Sequence, residues 1–286
     1  MLREIKTKLG FDLVELDHGI RMPLIPGIQK MFDTTEVRFS SLYNFCLLSG
    51  ETTVVPPDRY KFSAASAEER ERAVTQVLQA IDLAGQLSAP FVVLNLGQVD
   101  MPPITDRLIA MAKAGEYLSR NYVKLKIKAV QERERRSPQY LQHVQDCLRR
   151  VIDYAGSKGV RLGIENRRAY EEIPTESELA NLLDEMNSPQ LGYWHDFGHS
   201  QIKENLGFID HAEWLRAVGP RTFGCHVHDC IWPAREDQLP FTGGVDFEKL
   251  VPLLPPNCLF VWKMNPNTTA DAICQSVQMW KERFGE

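Results

Sequence analysis

The sequence predicts an α/β fold, a (β/α)8-type barrel of parallel strands in one domain over residues 1–286. Short apolar runs alternate with amphipathic helical stretches along the chain, which is typical of parallel sheets. Four of these runs end in a charged or imidazole side chain, at Glu165, Asp196, His226 and Lys263. Their spacings of 31, 30 and 37 residues each match about one strand plus its return helix. We therefore expect these four side chains to meet at one rim of the barrel.

The composition narrows the function. A chain of 286 residues suits one large α/β domain with a sizeable core. The net charge of −5 gives no basic surface for phosphates, so nucleic acid is not an expected partner. The N-terminus has no apolar signal segment, and no stretch approaches the ~18–20 apolar residues of a membrane span. We expect a cytoplasmic protein without a membrane partner, and the sequence leaves a homo-oligomer open.

The N-terminal region begins in a helix. Leu2, Ile5 and Leu9 share one helical face, and Gly10 suits the position after a helix end. The apolar run at 11–17 is the earliest expected strand, so we expect no counterpart in this sequence to the first strand of an eight-stranded barrel. An open barrel exposes the backbone edges of the strands beside the gap, which invites pairing with another segment.

Two more strands are expected in the first half, at VRFSSLYNF and FVVLNLG, with a long loop at 49–62 between them. Ser66 and Glu69 form a capping box at the start of the helix after that loop. FVVLNLG is continuously apolar, as expected for a strand buried on both faces. A helical stretch over 105–136 with an interruption near Asn121 follows, and then a second helix from 140 to about 157.

The second half predicts four strands, at 160–165, 191–196, 222–228 and 258–263. Thr175 and Glu178 form another capping box, and Asp246 is a plausible N-cap. Seven strands are thus expected in all.

The strand ends carry the candidate site residues. Asp196 is followed three residues later by His199, which places two candidate ligands on one strand-to-loop turn; Asp196 could instead cap the next helix. Alternation sends His226 and His228 to the same face, so at most one of them is expected to be a direct metal ligand.

Other candidates have competing interpretations. Glu165 precedes two arginines and could simply pair with one of them. Asn95, at the end of FVVLNLG, is a candidate for lining the pocket. Glu15 and Asp17, at another strand end, are undecided between substrate contact and surface.

The segments GFDLVEL, PFVVLNLG, RLGIENR, GYWHDFGHS, CHVHD, GGVDF and KMNP, in this order, resemble the sugar phosphate isomerase/epimerase superfamily. These are the xylose isomerase-like TIM barrels grouped with AP endonuclease family 2, and the resemblance covers nearly the whole chain. It implies a TIM barrel of carbohydrate metabolism that binds a small sugar or polyol. It also implies a divalent metal (manganese, magnesium, cobalt or zinc) held by Glu165, Asp196 and His226, with His199 touching the substrate. In family epimerases two glutamates also act as an acid/base pair beside a carbonyl, and the first of them falls on Glu165.

Lys263 departs from this pattern, because the family has a second glutamate at that position. Two glutamates, one aspartate and a divalent ion leave one net negative charge, and Glu165, Asp196 and Lys263 leave the same charge without any ion. Adding the ion would place an ammonium against it in a partly dehydrated pocket, which is unfavourable. We therefore expect metal binding to be weak or absent. The alternatives are a lysine turned outward, a neutral lysine acting as base with a pKa lowered by the metal, or an inactivating substitution.

The leading functional hypothesis is an isomerase or epimerase of a small sugar or keto-polyol. Glu165 and Lys263 would be its catalytic residues, and His199, Asn95 and His228 would contact the substrate. A related lyase or dehydratase is an alternative, because both reactions begin by removing a proton beside a carbonyl. A barrel that binds a ligand without turnover is another, favoured by Lys263 and the missing strand. A metal-dependent endonuclease is disfavoured, since it would need more metal-ligating histidines and a basic surface.

Overall fold

The computed structural model describes residues 2–17, 20–34, 36–44 and 60–285. Its central sheet contains seven parallel strands that follow one another in sequence order and curve into a nearly closed barrel. They are β1 Leu13–Leu16, β2 Arg38–Tyr43, β3 Phe91–Leu94, β4 Arg161–Glu165, β5 Leu191–Asp196, β6 Thr222–Val227 and β9 Leu259–Trp262. A separate antiparallel hairpin, β7 Asp229–Ile231 and β8 Arg235–Gln238, follows β6. The predicted barrel of parallel strands is confirmed.

Helices alternate with the strands, as expected for this architecture. They are α1 Leu2–Leu9, α2 Ile25–Asp33, α3 Ala67–Gln86, α4 Ile104–Lys113, α5 Arg120–Ser157, α6 Glu176–Met186, α7 Phe197–Asn205, α8 His211–Val218, α9 Phe247–Leu250 and α10 Ala270–Phe284. In the described part of the chain, no helix combines the length and the apolar character needed to span a bilayer.

Several helix starts follow the sequence signals. The Ser66 hydroxyl accepts a hydrogen bond from the Glu69 backbone N–H, and Thr175 and Glu178 form the complete capping box. The Asp246 carboxylate caps α9 by accepting from the Lys249 backbone N–H. Because each cap satisfies a backbone N–H that has no partner within the helix, these residues set where the helices begin.

The expected break between two helices at 137–139 is wrong. Helix α5 runs through Pro138 without interruption. The interruption expected near Asn121 is present slightly earlier, between the end of α4 at Lys113 and the Ser119 cap of α5. Proline removes one helical hydrogen bond, but the buried residues Ser137, Tyr140 and Val144 hold this part of the helix in place. Helices α2 and α7 and the β7–β8 hairpin were not predicted either. The loop expected at 49–62 falls mostly outside the described residues.

The centre of the barrel is filled by aromatic and β-branched side chains, including Phe91, Val93 and the fully buried Trp194. A Cβ atom added to Gly224 would lie 2.6 Å from the Trp194 ring, and one added to Gly163 would lie 3.0 Å from it. Trp194 therefore occupies space that two neighbouring strands leave free by carrying glycine. Its ring centroid lies 5.6 Å from that of His226, so this layer supports the rim above it.

The barrel stays open on one side. Among the described residues, β1 pairs only with β2 and β9 pairs only with β6, so no ladder joins β1 to β9. Helix α1 precedes β1, as predicted, and no strand precedes β1 within those residues. The aromatic rings of Phe11 and Trp262 face each other across the opening, with centroids 6.0 Å apart.

Candidate active site

Four strands bring the predicted residues to one place at the rim. Glu165 and Asp196 end β4 and β5, His226 lies on β6, and Lys263 follows β9. Asp196 is the register partner of His226 on the next strand. The ligand atoms of Glu165, Asp196 and His226 all lie within 4.8 Å of one another. The Lys263 ammonium lies 3.5 Å from Asp196 Oδ2.

Glu165 is fully buried, and protein donors contact both of its carboxylate oxygens. Oε2 accepts from the Tyr43 hydroxyl at 2.6 Å and from the Arg167 guanidinium. Oε1 lies 2.7 Å from His226 Nδ1. Burial alone would raise the pKa of Glu165. The positive charges of Arg167 and His226 lower this pKa by more than burial raises it, so the pKa lies well below its usual range. Glu165 is therefore a carboxylate at neutral pH, and its pairing with an adjacent arginine, one of the two interpretations of the sequence, is present.

His226 bridges two carboxylates. Its Nδ1 faces Glu165, and its Nε2 lies 2.9 Å from Glu15 Oε1. Burial would lower the pKa of His226, but Glu15 and then Asp196 and Glu165 raise it well above its usual value. An imidazolium donates at both nitrogens, which matches a carboxylate on either side.

Glu15 belongs to the site, a role that the sequence left undecided. It lies on β1, its side chain is 12% exposed, and its Oε2 accepts from the Ser41 hydroxyl at 2.6 Å. The signal that favoured this role was the position of Glu15 near a strand end, since charged side chains there face the rim.

Asp196 has one occupied and one open oxygen. Oδ1 accepts from the His199 backbone N–H and from His228 Nε2, each at 2.8 Å. Asp196 is thus the N-cap of α7 as well as a member of the cluster. Oδ2 is buried and has no hydrogen-bond partner among the described residues. Burial would raise the pKa of Asp196, but His199, His228 and Lys263 hold it well below its usual range.

His199 lines the cavity at the rim. Its Nδ1 lies 3.0 Å from the Asn166 carbonyl oxygen, to which it donates. Burial lowers the pKa of His199 to about 4, so the ring is neutral at pH 7. With Nδ1 protonated, Nε2 can accept a hydrogen bond from a substrate hydroxyl.

His228 and Asn95, the other two candidates for substrate contact, are both buried. The Asp237 backbone N–H donates to His228 Nδ1, so His228 Nε2 carries the proton and donates to Asp196. The Asn95 amide oxygen accepts from the Gly97 backbone N–H. Neither residue is among the described residues that line the two cavities of about 580 and 320 Å³. Their predicted substrate contacts stay predictions.

Asn166, which sequence reasoning did not single out, fixes the position of Asp196. Its amide oxygen accepts from the Asp196 backbone N–H at 2.6 Å and from the Tyr193 hydroxyl at 2.9 Å. Its amide nitrogen donates to the Asp196 carbonyl at 3.0 Å. His195 lies behind this network, with Nδ1 2.7 Å from the Tyr193 hydroxyl.

A cavity of about 580 Å³ opens in front of the cluster and continues along the gap between β1 and β9. Its polar end is lined by Glu15, Tyr43, Arg167, His199, His226 and Lys263. Its apolar end is lined by strand residues such as Val14 and Val261. A volume of this size is in the range of small-molecule sites.

The ligand atoms of Glu165, Asp196 and His226 fit a divalent ion only in part. Catalytic metal sites use three protein ligands and leave a position open for substrate, and Asp196 Oδ2 supplies a buried oxygen that accepts no hydrogen bond from the described residues. The fourth family ligand, however, is replaced by the Lys263 ammonium, which has no lone pair to donate. The cluster holds four carboxylates and three cations, so it carries one net negative charge when no ion is bound. The carboxylates belong to Glu15, Glu165, Asp196 and Glu172, and the cations are Arg167, His226 and Lys263.

The sequence profile of the xylose isomerase-like TIM barrels matches residues 4–255. Among curated proteins, no sequence matches this chain. Among solved structures, a D-tagatose 3-epimerase-like protein is 18% identical, with a TM-score of 0.67 over 96% of this chain and 88% of its own. The 3-keto-D-glucoside 4-epimerase of E. coli is 15% identical, with a TM-score of 0.67 over 98% and 92%. A D-allulose 3-epimerase from Methylomonas sp. in complex with D-allulose is 16% identical, with a TM-score of 0.64 over 99% and 90%. At these identities the likeness to solved structures shows the fold.

Proposed function

The chain belongs to the xylose isomerase-like TIM barrel family, and on this premise we propose that it is an isomerase or epimerase of a small sugar or keto-polyol. The reaction would move a proton on the carbon beside a carbonyl group. The observation that carries the proposal is that His226 and Lys263 line the polar end of one sugar-sized cavity, while the buried Glu165 and Asp196 contact them from behind. Three structural neighbours whose names describe sugar epimerases support the substrate class.

Lys263 is the residue proposed to stabilise the negative charge that develops on the substrate's carbonyl oxygen. Its side chain is 39% exposed and lines the cavity, so its ammonium can reach a substrate oxygen. Burial would lower the pKa of Lys263, but Asp196 and Glu165 raise it above its usual value, so it stays charged. A fixed positive charge at the carbonyl oxygen stabilises the enolate that forms when the neighbouring proton leaves.

Glu165 is the proposed proton acceptor. It is ionised, and of its partners the Tyr43 hydroxyl and the Arg167 guanidinium also line the cavity. A substrate hydroxyl that took over the Tyr43 contact would bring its carbon chain within reach of the carboxylate. His199 Nε2 would accept from a second hydroxyl and so orient the sugar.

A divalent ion, if bound, would be held by Glu165, Asp196 and His226 and would polarise the substrate oxygens. We propose that such binding is weak, because the Lys263 ammonium already lies beside the open Asp196 oxygen and the cluster is nearly neutral without an ion. The positive charge that the family draws from a metal would then come from Lys263.

A second candidate is a barrel that binds a sugar without turnover. The observation that favours it is the full occupation of Glu165, whose carboxylate is 0% exposed and has protein donors on both oxygens. Such a carboxylate is a weak base, because Arg167 and His226 hold its pKa low.

Exchange of carbon-bound hydrogen for solvent deuterium distinguishes an isomerase or epimerase from a barrel that binds a sugar without turnover. The purified protein is incubated in D₂O with D-fructose, D-tagatose and D-allulose, and deuterium beside the carbonyl is followed by NMR. We expect exchange with at least one ketose, and its loss in the Glu165→Gln and Lys263→Met variants. Binding without exchange would favour the non-catalytic barrel, and the absence of both from a wider panel of ketoses and keto-polyols would contradict the proposal.

A further inference from the structure

A second cavity, of about 320 Å³, lies on the far side of His199 from the first. Arg167 and His199 line both cavities, so the two spaces meet at these side chains. The outer wall of the second cavity carries Arg168, Asp106 and Glu236. Glu236 lies on β8, in the hairpin that follows β6, the strand that carries His226.

Two polar atoms of this wall have unused hydrogen-bonding capacity. Arg168 Nε and Glu236 Oε2 are buried, and neither has a hydrogen-bond partner in the described ranges. Arg168 Nε lies 3.6 Å from Glu236 Oε1, and Glu236 Oε2 lies 3.6 Å from His199 Nε2. These distances exceed those of direct hydrogen bonds. Buried polar atoms without partners are costly, so the arrangement suits a ligand that brings its own donors and acceptors.

The charge of the second cavity's lining disfavours an anionic ligand. Two arginines, Arg167 and Arg168, face four carboxylates, which belong to Asp106, Glu171, Glu172 and Glu236. Arg167 is already paired with Glu165 and Glu172, so little positive charge is left for a phosphate. A hydroxyl group both donates and accepts, and it can therefore satisfy a guanidinium N–H and a carboxylate oxygen at the same time.

We propose that the second cavity binds a further sugar unit attached to the substrate, so that the preferred substrate is a keto-disaccharide or another glycoside of the ketose. This inference rests on the proposed function in one respect, that the first cavity holds the ketose. The glycosyl unit would extend past His199, with its hydroxyl groups between Arg168 and Glu236. The space of the second cavity is in the lower range of ligand pockets, which suits one sugar ring.

The test compares binding, so it does not depend on turnover. Calorimetry measures the affinities for D-fructose, for D-fructose 6-phosphate, and for palatinose and lactulose, two disaccharides whose fructose unit carries a neutral hexose. We expect at least one disaccharide to bind roughly tenfold more tightly than D-fructose, as one added hydrogen bond to a charged group allows. The phosphate ester should gain nothing over D-fructose.

Arg168→Leu removes the guanidinium from the second cavity. The ratio of disaccharide to D-fructose affinity should fall toward one in this variant, and Glu236→Gln should lower the same ratio. Arg149→Leu is the matched control, because this arginine is 54% exposed and pairs with Asp146 of its own helix. Thermal melting verifies that each variant folds.

Equal affinities for D-fructose and both disaccharides would overturn the inference and leave the proposed function standing. A preference for the phosphate ester, or an unchanged affinity ratio in Arg168→Leu, would also overturn it. The absence of binding by all four compounds would instead contradict the proposed function and this inference together.

Discussion

The Glu15 carboxylate lies 2.9 Å from His226 Nε2, although 211 residues separate the two in sequence. This contact directs His226 Nδ1 toward Glu165 and Asp196. A carboxylate behind a histidine is the arrangement that orients metal-binding imidazoles and sets their basicity. Glu15 therefore acts on the cluster through His226, from the strand at the edge of the open side of the barrel.

Glu15→Gln should lower the pKa of His226. Glu15 contributes the largest of the interactions that raise this pKa, and an amide keeps the shape of the side chain while removing its charge. The pKa is read from the NMR shifts of the imidazole resonances across a pH titration. Glu4→Gln, on the exposed face of α1, is the control and should leave the His226 titration unchanged. An equal pKa in Glu15→Gln and wild type would contradict the assigned contact.

Lys263→Glu should convert weak metal binding into tight binding. The substitution supplies a fourth ligand beside Glu165, Asp196 and His226 and removes the ammonium that lies 3.5 Å from Asp196 Oδ2. We expect substoichiometric manganese in the purified wild-type protein and about one ion per chain in the variant, measured by elemental analysis. Lys263→Met separates the two causes, since it removes the ammonium without adding a ligand. Stoichiometric metal in the wild-type protein would show that Lys263 does not replace the ion.

Gly224→Ala should destabilise the barrel. The new methyl group would lie 2.6 Å from the Trp194 ring, and overpacking of this kind costs roughly 1–3 kcal/mol of unfolding free energy. Gly27→Ala is the matched control in α2, where nothing lies within 4 Å of the added atom. That change should stabilise the helix by about 0.5–1 kcal/mol. Urea titration measures the free energy of unfolding of both variants. Equal free energies of unfolding for the two variants would contradict the prediction.

Acid should destabilise the protein through its buried neutral histidines. Burial lowers the pKa of His211 to about 3 and that of His199 to about 4, whereas a histidine in the unfolded chain titrates near ~6.5. Below that pH the unfolded chain binds protons that the folded protein refuses, so the free energy of unfolding falls as the pH drops. Each histidine should contribute a loss of about 2 kcal/mol between pH ~7 and ~5.

The measurement is the unfolding free energy in urea at several pH values. His211→Gln should reduce the loss between pH ~7 and ~5 by about the share of one histidine. The raised pKa of His226 gives the opposite slope, but only above ~6.5, where the unfolded chain releases its proton first. A stability that did not change from neutral pH to pH ~5 would argue against neutral buried histidines.

The sequence predicted the strand ends of the second half well, because strands buried on both faces leave continuous apolar runs. Glu165 and Asp196 are the last residues of their strands in the structure, as expected. The hairpin carrying Glu236 was missed, since REDQ has no apolar alternation to mark it as a strand. The contact between Tyr43 and Glu165 spans 122 residues, and no local pattern announces such a pairing. Helix α5 passes Pro138 through packing that only the tertiary structure provides.

Glu15 and Lys263 lie on opposite sides of the gap between β1 and β9. Within the described chain no backbone hydrogen bonds of a sheet join these two strands, so side-chain contacts such as that between Phe11 and Trp262 set the distance across the gap. The mouth of the cavity can therefore widen or narrow at this side without breaking a strand pairing. A bulky ligand would be admitted here at little cost to the rest of the barrel.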